Sequence, residues 1–447
     1  MRLPPRFERL AARNPFPPGS VTVGVWLGLN GLVTYGFLAV AARSVSADRY
    51  SALSALWALA FLAGPGCFLP LEQEVSRSLA ARRARGVGSG PLVRRAALLG
   101  AGFAGVLVIA CAALSGLLVN GLFDGQVALL FALMLVLVGY GFEHLTRGVL
   151  AGNELFGRYG FLLGGEGLLR LAGALVLAAI GVATVGPYGI VVGLAPYAAS
   201  GLALFGQHGL TGPGPPAPWR ELSSSLGYLL AGSILAQTLV NAAPLATQAL
   251  AGPAQGSAAG RLLNGLVVAR VPLFLFQAVQ AALLPNLSGL HGAGRDAEFR
   301  RGLRRLMGAV VAIGTAATIG AAVIGPWVVR VLFGDKYVLT HRDMFFLALG
   351  SAVFMAALAL AQALLALGGQ KRAALGWLAG VIAFGLALLI PNPLLLRVEI
   401  AYLAGTAVAT LCVAAVLAKP LRMAGSAPKS DIFPPGGVPL VIEPTEL

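Results

Sequence analysis

Charged residues interrupt stretches of this chain that are otherwise apolar, and their spacing says what chemistry each can do. Glu166 and Arg170 stand four residues apart, as do Glu143 and Arg147. That spacing puts each pair on one helical face and allows an ion pair within the helix. Arg270 lies about nine residues into an apolar stretch with no acidic residue near it in sequence, and Pro272 follows two residues later. A charge at the centre of a membrane helix costs about 2.5–3.5 kcal/mol on insertion scales, so each one calls for a partner or a ligand. Arginine suits an anionic ligand, because its planar, permanently charged fork grips phosphate oxygens bidentately. Arg270, Arg170, Glu166, Glu143, Arg147, Asn241 and Gln277 are therefore the candidates to line a polar cavity. Asn30, Gln237, Asn264, Gln280 and Gln362 are of the same type and read first as hydrogen-bonding groups between helices. Glu72 and Glu74 end an apolar stretch just before Arg77 and read as a solvated helix end.

Nothing else in the chain has the pattern of a reactive centre. Cys67, Cys111 and Cys412 fall inside apolar stretches, which suits buried small hydrophobes rather than a disulfide framework. His144, His208, His291 and His341 are scattered, without metal-ligand spacing. There is no nucleophile elbow and no phosphate-binding glycine loop after a strand. The expectation is a protein that is not an enzyme and has no cofactor and no metal.

The elements that must position these groups are membrane helices. Of 447 residues, 57% are hydrophobic and 11% charged, with a mean hydropathy of +0.83. Soluble domains carry about 25% charged residues. A helix needs about 20 apolar residues to span the hydrocarbon core. Twelve candidate spans satisfy this, at about 20–42, 50–70, 95–119, 126–150, 159–183, 187–207, 222–246, 258–285, 305–333, 343–368, 373–392 and 398–418. The fold class expected is all-α, a polytopic membrane protein. Breaks such as the Pro/Gly cluster from Gly212 to Pro218 and Pro391-Asn392-Pro393 separate the spans.

Basic residues alternate between the connections. The N-terminal tail (Arg2, Arg6, Arg9, Arg13), the second connection (Arg77, Arg82, Arg83, Arg85, Arg94, Arg95) and the eighth (Arg295, Arg300, Arg301, Arg304, Arg305) carry most of them. The fourth, sixth and tenth connections and the C-terminal tail add Arg147, Arg158, Arg220, Lys371, Arg372, Lys419, Arg422 and Lys429. Odd-numbered connections hold only Arg43, Arg49, Arg261, Arg330, Lys336, Arg342 and Arg397. Positive charge stays on the cytoplasmic side, so both termini are expected there, with an uncleaved first span. The net charge of +15 is then a topology signal and a contact to anionic membrane lipids. It does not indicate nucleic acid, since no basic patch is interleaved with aromatics.

Six spans are an even number, so a parallel repeat of two six-helix lobes is permitted. A short polar turn after the first span leads into a span carrying Pro65. Another after the seventh leads into a span carrying Pro272. The expected division is an N-terminal lobe at 1–208, a linker at 209–221, a C-terminal lobe at 222–419 and a disordered tail at 420–447. Secondary transporters use such repeats to build a central site about which two halves rock.

Here a resemblance becomes specific. Ala42-Arg43-x-Val45-x-Ala47-Asp48-Arg49-Tyr50 resembles a characteristic turn of polysaccharide flippases, although Ser46 and Ser51 stand where glycine is favoured. Arg147-Gly148-Val149-Leu150-Ala151-Gly152-Asn153 with Phe156-Gly157-x-Tyr159, and then Glu166 with Arg170-Leu171, extend the likeness over roughly residues 20–310. Together they resemble the Wzx-like polysaccharide biosynthesis and export proteins of the MATE-like (MOP) flippase superfamily. The resemblance implies a two-lobed bundle that moves a polyprenyl-diphosphate-linked glycan across the cell membrane, with glycan-assembly enzymes as partners. The alternative within the superfamily is a MATE-type drug or cation antiporter. It would want a buried carboxylate in its cavity, and the first and seventh spans contain none. A membrane glycosyltransferase would want a larger outer loop than any here. No ATP-binding motif is present.

Overall fold

A computed structural model describes residues 20–218, 226–273 and 295–426, with the single positions 276, 287 and 290. Among the described residues every long element is a helix. In chain order they are α1 (Ser20–Ser44), α2 (Ala47–Ala84), α3 (Gly90–Ala113), α4 (Val127–Gly152), α5 (Phe156–Ala179), α6 (Val185–Leu204), α7 (Leu226–Leu250), α8 (Ala258–Ala269), α9 (Asp296–Phe333), α10 (His341–Ala366), α11 (Gln370–Ala387) and α12 (Leu394–Ser426). Ten of these are long and apolar enough to cross a membrane; α8 and α11 occupy the eighth and eleventh expected spans.

Two helices run well past their apolar spans. α2 and α9 are each 38 residues long, about 57 Å at 1.5 Å per residue. Their extra turns carry the basic stretches around Arg82 and Arg304. We call the end of the bundle bearing those arginines the basic end and the opposite one the far end.

The packing repeats. α1 packs on α5, α2 and α3 on α4, and α4 and α5 on α6. Six helices later, α7 packs on α11, α8 and α9 on α10, and α10 and α11 on α12. Each N-terminal pair thus has its C-terminal counterpart. The fold is two six-helix lobes, joined chiefly where α2 meets α7 and α8, and where α1 meets α9. The two prolines that align in sequence mark matching irregularities. Around Pro65, residues Gly64–Phe68 form a π-turn within α2. Before Pro272, α8 ends in a turn at Arg270. Proline has no N–H to give the ladder, so the helix must slip or break near it.

Small residues let the helices approach closely. A Cβ on Gly160 or Gly164 of α5 would lie 2.5 or 2.2 Å from the ring of Trp26 on α1. At the basic end, residues from Gly209 to Pro218 lie on the N-terminal lobe. Gly90 N–H donates to Gly212 O at 2.8 Å. Arg82 donates to Gly88 O at 2.9 Å and Pro215 O at 3.1 Å, and Ala217 is buried with Leu71, Val75 and Leu92. Arg220, both chain termini and residues 427–447 lie outside the described residues, while α12 runs to Ser426, past position 420, the expected start of the disordered tail.

Candidate functional site

In the N-terminal lobe three helices bring their charges together. On α5, Arg170 is 2% exposed, and its Nη2 sits 2.9 Å from Glu166 Oε2. This is the ion pair that the four-residue spacing predicts. The guanidinium also lies over the rings of Trp57 and Phe61, with centroids at 5.3 and 5.7 Å. On α4, Arg147 is 3.8 Å from Glu143, a looser contact than its spacing suggests, because it is shared. Arg147 Nε lies 3.2 Å from Glu72 Oε2.

Glu72 is the correction to the sequence reading. It is not a solvated helix end: it is buried, and α2 continues past it. His144 Nδ1 lies 2.7 Å from Glu72 Oε2, and the Tyr159 hydroxyl donates to Glu72 Oε1 at 2.8 Å. Glu74 is buried too and pairs with Arg77. Glu72, Glu143, His144, Arg147 and Tyr159 thus form one buried network across α2, α4 and α5, with the Glu166–Arg170 pair farther along α5.

The C-terminal lobe is built differently. Arg270 is 8% exposed. Its guanidinium donates to the carbonyl of Val240 on α7 and lies 5.9 Å from the ring centroid of Tyr402 on α12. No carboxylate pairs with it among the described residues. The freed carbonyl ladder around Pro272 explains why the helix stops at this residue. Asn241, one residue beyond Val240, donates to its own helix at Gln237 O, 3.0 Å away, rather than across helices. Gln277, Gln280 and His291 lie outside the described residues. Arg170 and Arg270 both face the interior, but in different lobes and with different partners.

A groove of about 700 Å³ runs between α1, α8 and α9. Its walls include Gly28, Gly31 and Leu32 on α1, Val268 and Val271 beside Arg270, and Leu332. Among the described residues no charged side chain lines it. Tyr35 on the groove wall donates across the lobes to Val267 O at 2.6 Å.

A belt of polar contacts holds the lobes together at the far end. Arg43 donates to Leu332 O at 3.0 Å and to Val331 O. Lys336 donates to Val45 O at 2.9 Å, and the Tyr337 hydroxyl to Ala42 O at 3.1 Å. Each cation thus sits on the carbonyl end of a helix from the other lobe, where the helix dipole favours positive charge. Partial burial lowers the pKa of Lys336 from its ordinary value. Tyr50 donates to Asn264 Oδ1 at 2.6 Å, and Ser51 accepts from Gly260 N–H at 3.0 Å. Sequence reasoning missed this belt except for Asn264, expected to bond between helices, as it does.

No family model matches the chain. It is 28% identical to "Uncharacterized protein Rv1510" of Mycobacterium tuberculosis (strain ATCC 25618 / H37Rv) over 422 residues, 92% of this chain and 94% of that one. It is 27% identical to "Uncharacterized protein Mb3654" of Mycobacterium bovis over 402 residues, 87% of this chain and 89% of the other. Among solved structures it is similar to an inward-facing multidrug resistance MATE family transporter of the MOP superfamily, with a TM-score of 0.67 and 12% identity. The outward-facing conformation of such a transporter gives a TM-score of 0.64, also at 12% identity. Both alignments cover 91% of this chain and 96% of the other. The chain therefore has the MATE transporter fold.

Proposed function

We propose that the protein is a flippase that carries a lipid-linked oligosaccharide or polysaccharide precursor across the cell membrane by alternating access. The observation that carries this reading is Arg270: a buried cation without a carboxylate partner among the described residues, next to an apolar groove. A polyprenyl tail suits a groove walled by glycine and branched aliphatic side chains. A diphosphate is the ligand for which an uncompensated guanidinium is chemically fitted. The lobes, 1–208 and 222–419, would rock about this region, with 209–221 as their linker. The basic end faces the cytoplasm, as the arginine distribution requires, and the belt at the far end closes the outer side. Glutamates 143 and 166 and arginines 147 and 170 act in this scheme as a pre-set charged wall of the N-terminal lobe. Glycan-assembly enzymes are the expected partners on the cytoplasmic side.

A drug or cation antiporter of the same fold would place a carboxylate where the ligand enters. Among the described residues the groove lining has none, and α1 and α7 contain none. Reconstituted vesicles distinguish the two. A fluorescent polyprenyl-diphosphate glycan should become accessible on the opposite leaflet with the parent protein and not with Arg270→Ala. Parent-level flipping by Arg270→Ala would remove Arg270 from the site. Proton-driven extrusion of organic cations, without glycan flipping, would replace the flippase reading with the antiporter.

A further inference from the structure

One buried acid has no part in the scheme above. Glu399 stands in the second turn of α12, at the far end, and is 0% exposed. Neither of its carboxylate oxygens has a hydrogen-bond partner among the described residues. The charged groups that act on it are Asp343 and Arg342, at the start of α10. Asp343 is itself buried, and its oxygens are already taken. Arg342 donates to Oδ1 at 2.9 Å, and Thr340 N–H donates to Oδ2 at 3.0 Å. Among the described residues the other helices packed on α12 add no compensating cation at this level. α7 contains no Asp, Glu, Lys, Arg or His, and α11 has only Lys371 and Arg372 at its basic end. Arg330 of α9 is paired with Asp335 at 2.9 Å. Arg270 of α8 is engaged with Val240 O and the Tyr402 ring.

A buried carboxylate with no hydrogen-bond donor, with an acid beside it and with its one neighbouring cation, Arg342, already bonded to that acid, is disfavoured in its ionised form. A metal ion in its place would need several oxygen ligands, and no group of three or more His, Cys, Asp or Glu side chains gathers among the described residues. The species that satisfies Glu399 is a proton.

The position of Asp343 ties that proton to the lobe contacts. Asp343 and Thr340 form a reciprocal capping box, with Asp343 N–H donating back to Thr340 Oγ1 at 3.2 Å. Thr340 ends the short connection that carries Lys336 and Tyr337, which hold Val45 O and Ala42 O of the other lobe. The box and the two residues that hold the other lobe are thus joined through one short stretch of chain, 336–343.

We propose that Glu399 is a proton-binding site linked to closure of the far end. It holds a proton while the 334–340 connection is latched on the N-terminal lobe. When the connection releases, the O–H bond breaks and the proton passes to entering water. By linkage, acid favours the closed far end and alkali the open one, by up to about tenfold in the population ratio per pH unit for one proton. The proposal does not depend on the substrate being a glycan.

The test is a distance measurement across the far end. Spin labels are attached at Asp124→Cys and Pro391→Cys, both exposed, in the full chain with Cys67, Cys111 and Cys412 replaced. With Glu399 present, the long-distance population should grow as pH rises. Glu399→Gln, which keeps the shape and cannot ionise, should stay in the short-distance population at every pH, and Glu399→Asp should restore the response. Infrared difference spectra of the closed protein should show a protonated carboxylic acid band that Glu399→Gln abolishes. A parent protein without pH response, a Glu399→Gln variant that responds as the parent does, or a carboxylic acid band unaffected by that substitution would each overturn the proposal.

Discussion

The two lobes share a packing plan and treat buried charge in opposite ways. In the N-terminal lobe, Glu72, Glu143 and Glu166 meet Arg147 and Arg170 in ion pairs, and His144 and Tyr159 bond to Glu72 as well. In the C-terminal lobe, Arg270 and Glu399 are both buried, and each lacks an opposite charge bonded to it among the described residues. The two do not neutralise one another: the charges acting on Glu399 are those of Asp343 and Arg342. A buried network whose charges are paired ties together the helices that bear it. An unsatisfied buried charge persists only where something else benefits from it, which is the usual signature of a functional group. In the scheme proposed above, the first lobe is then the scaffold and the second the one that would carry ligand and proton.

The sharpest way to break that contrast is to remove the hub of the network. Glu72→Ala leaves Arg147 with the 3.8 Å contact to Glu143 as its one ion pair among the described residues, beside the Tyr159 hydroxyl at 3.3 Å, and strips His144 and Tyr159 of their acceptor. Deleting one member of a buried ion pair costs about 3–5 kcal/mol, so this variant should lose most of its folded yield or unfold at markedly lower temperature in detergent. Replacing the Glu166–Arg170 pair together, as Glu166→Leu with Arg170→Met, should harm stability less than Arg170→Met alone, because the double change leaves no buried charge behind. Equal losses for both would mean the pair does more than neutralise itself.

Arg270→Ala should show the reverse pattern, with little change in thermal unfolding and a collapse of transport. If it contacts a phosphate in a desolvated site, truncation costs about 2–5 kcal/mol of ligand interaction, roughly 30- to 5000-fold in flipping rate. Arg270→Lys should recover only part of this, since a point charge cannot reproduce the bidentate fork. A variant that fails to fold but still flips in proportion to its yield would move Arg270 to the scaffold side of the comparison.

What was legible in the sequence follows the same division. Span positions were readable because twenty apolar residues have few alternatives in water or lipid, and the Glu166–Arg170 pair because it is local. Gly160 and Gly164 were readable as packing residues, and they meet Trp26. Glu72 was misread because its partners lie on α4 and α5, far along the chain, and a run of arginines follows it. A signal was available: Leu71, Val75 and Leu79 continue an apolar stripe past it, so the helix had to remain packed there. Glu399 was not singled out in the sequence, because it stands at the edge of a span, two residues from Arg397. The contacts of Arg43 and Lys336 had no signature at all, because their acceptors are backbone carbonyls, which every residue carries.

Packing itself offers a middle-sized test. Gly164→Val would drive a branched side chain into Trp26, from which a Cβ alone is already 2.2 Å away. Overpacking of this kind costs about 1–3 kcal/mol. Residues Gly201 and Gly308 have nothing within 4 Å of such a Cβ, so valine there should be tolerated far better. Unfolding temperatures of the three variants should separate accordingly, and equal behaviour would contradict the close approach of α1 and α5.

The smallest effects belong to the far-end belt, and they bear on the lobes' relative motion rather than on their stability. A cation at an exposed helix C-terminus contributes about 0.3–1 kcal/mol, so Arg43→Ala or Lys336→Ala should barely move unfolding. Because both contacts join one lobe to the other, their loss should nevertheless shift the balance toward an open far end by about two- to fivefold each. Maleimide labelling in intact cells checks this and the topology together. Cysteines placed at Val87 or Ala297 should be shielded from an impermeant reagent, and cysteines at Asp124 or Asp335 should be open to it. A cysteine replacing the buried Leu53, beneath the belt, should react slowly in the parent and faster once Arg43 and Lys336 are both alanine. Labelling at position 53 that ignores the belt would show that these contacts fasten the lobes without gating them.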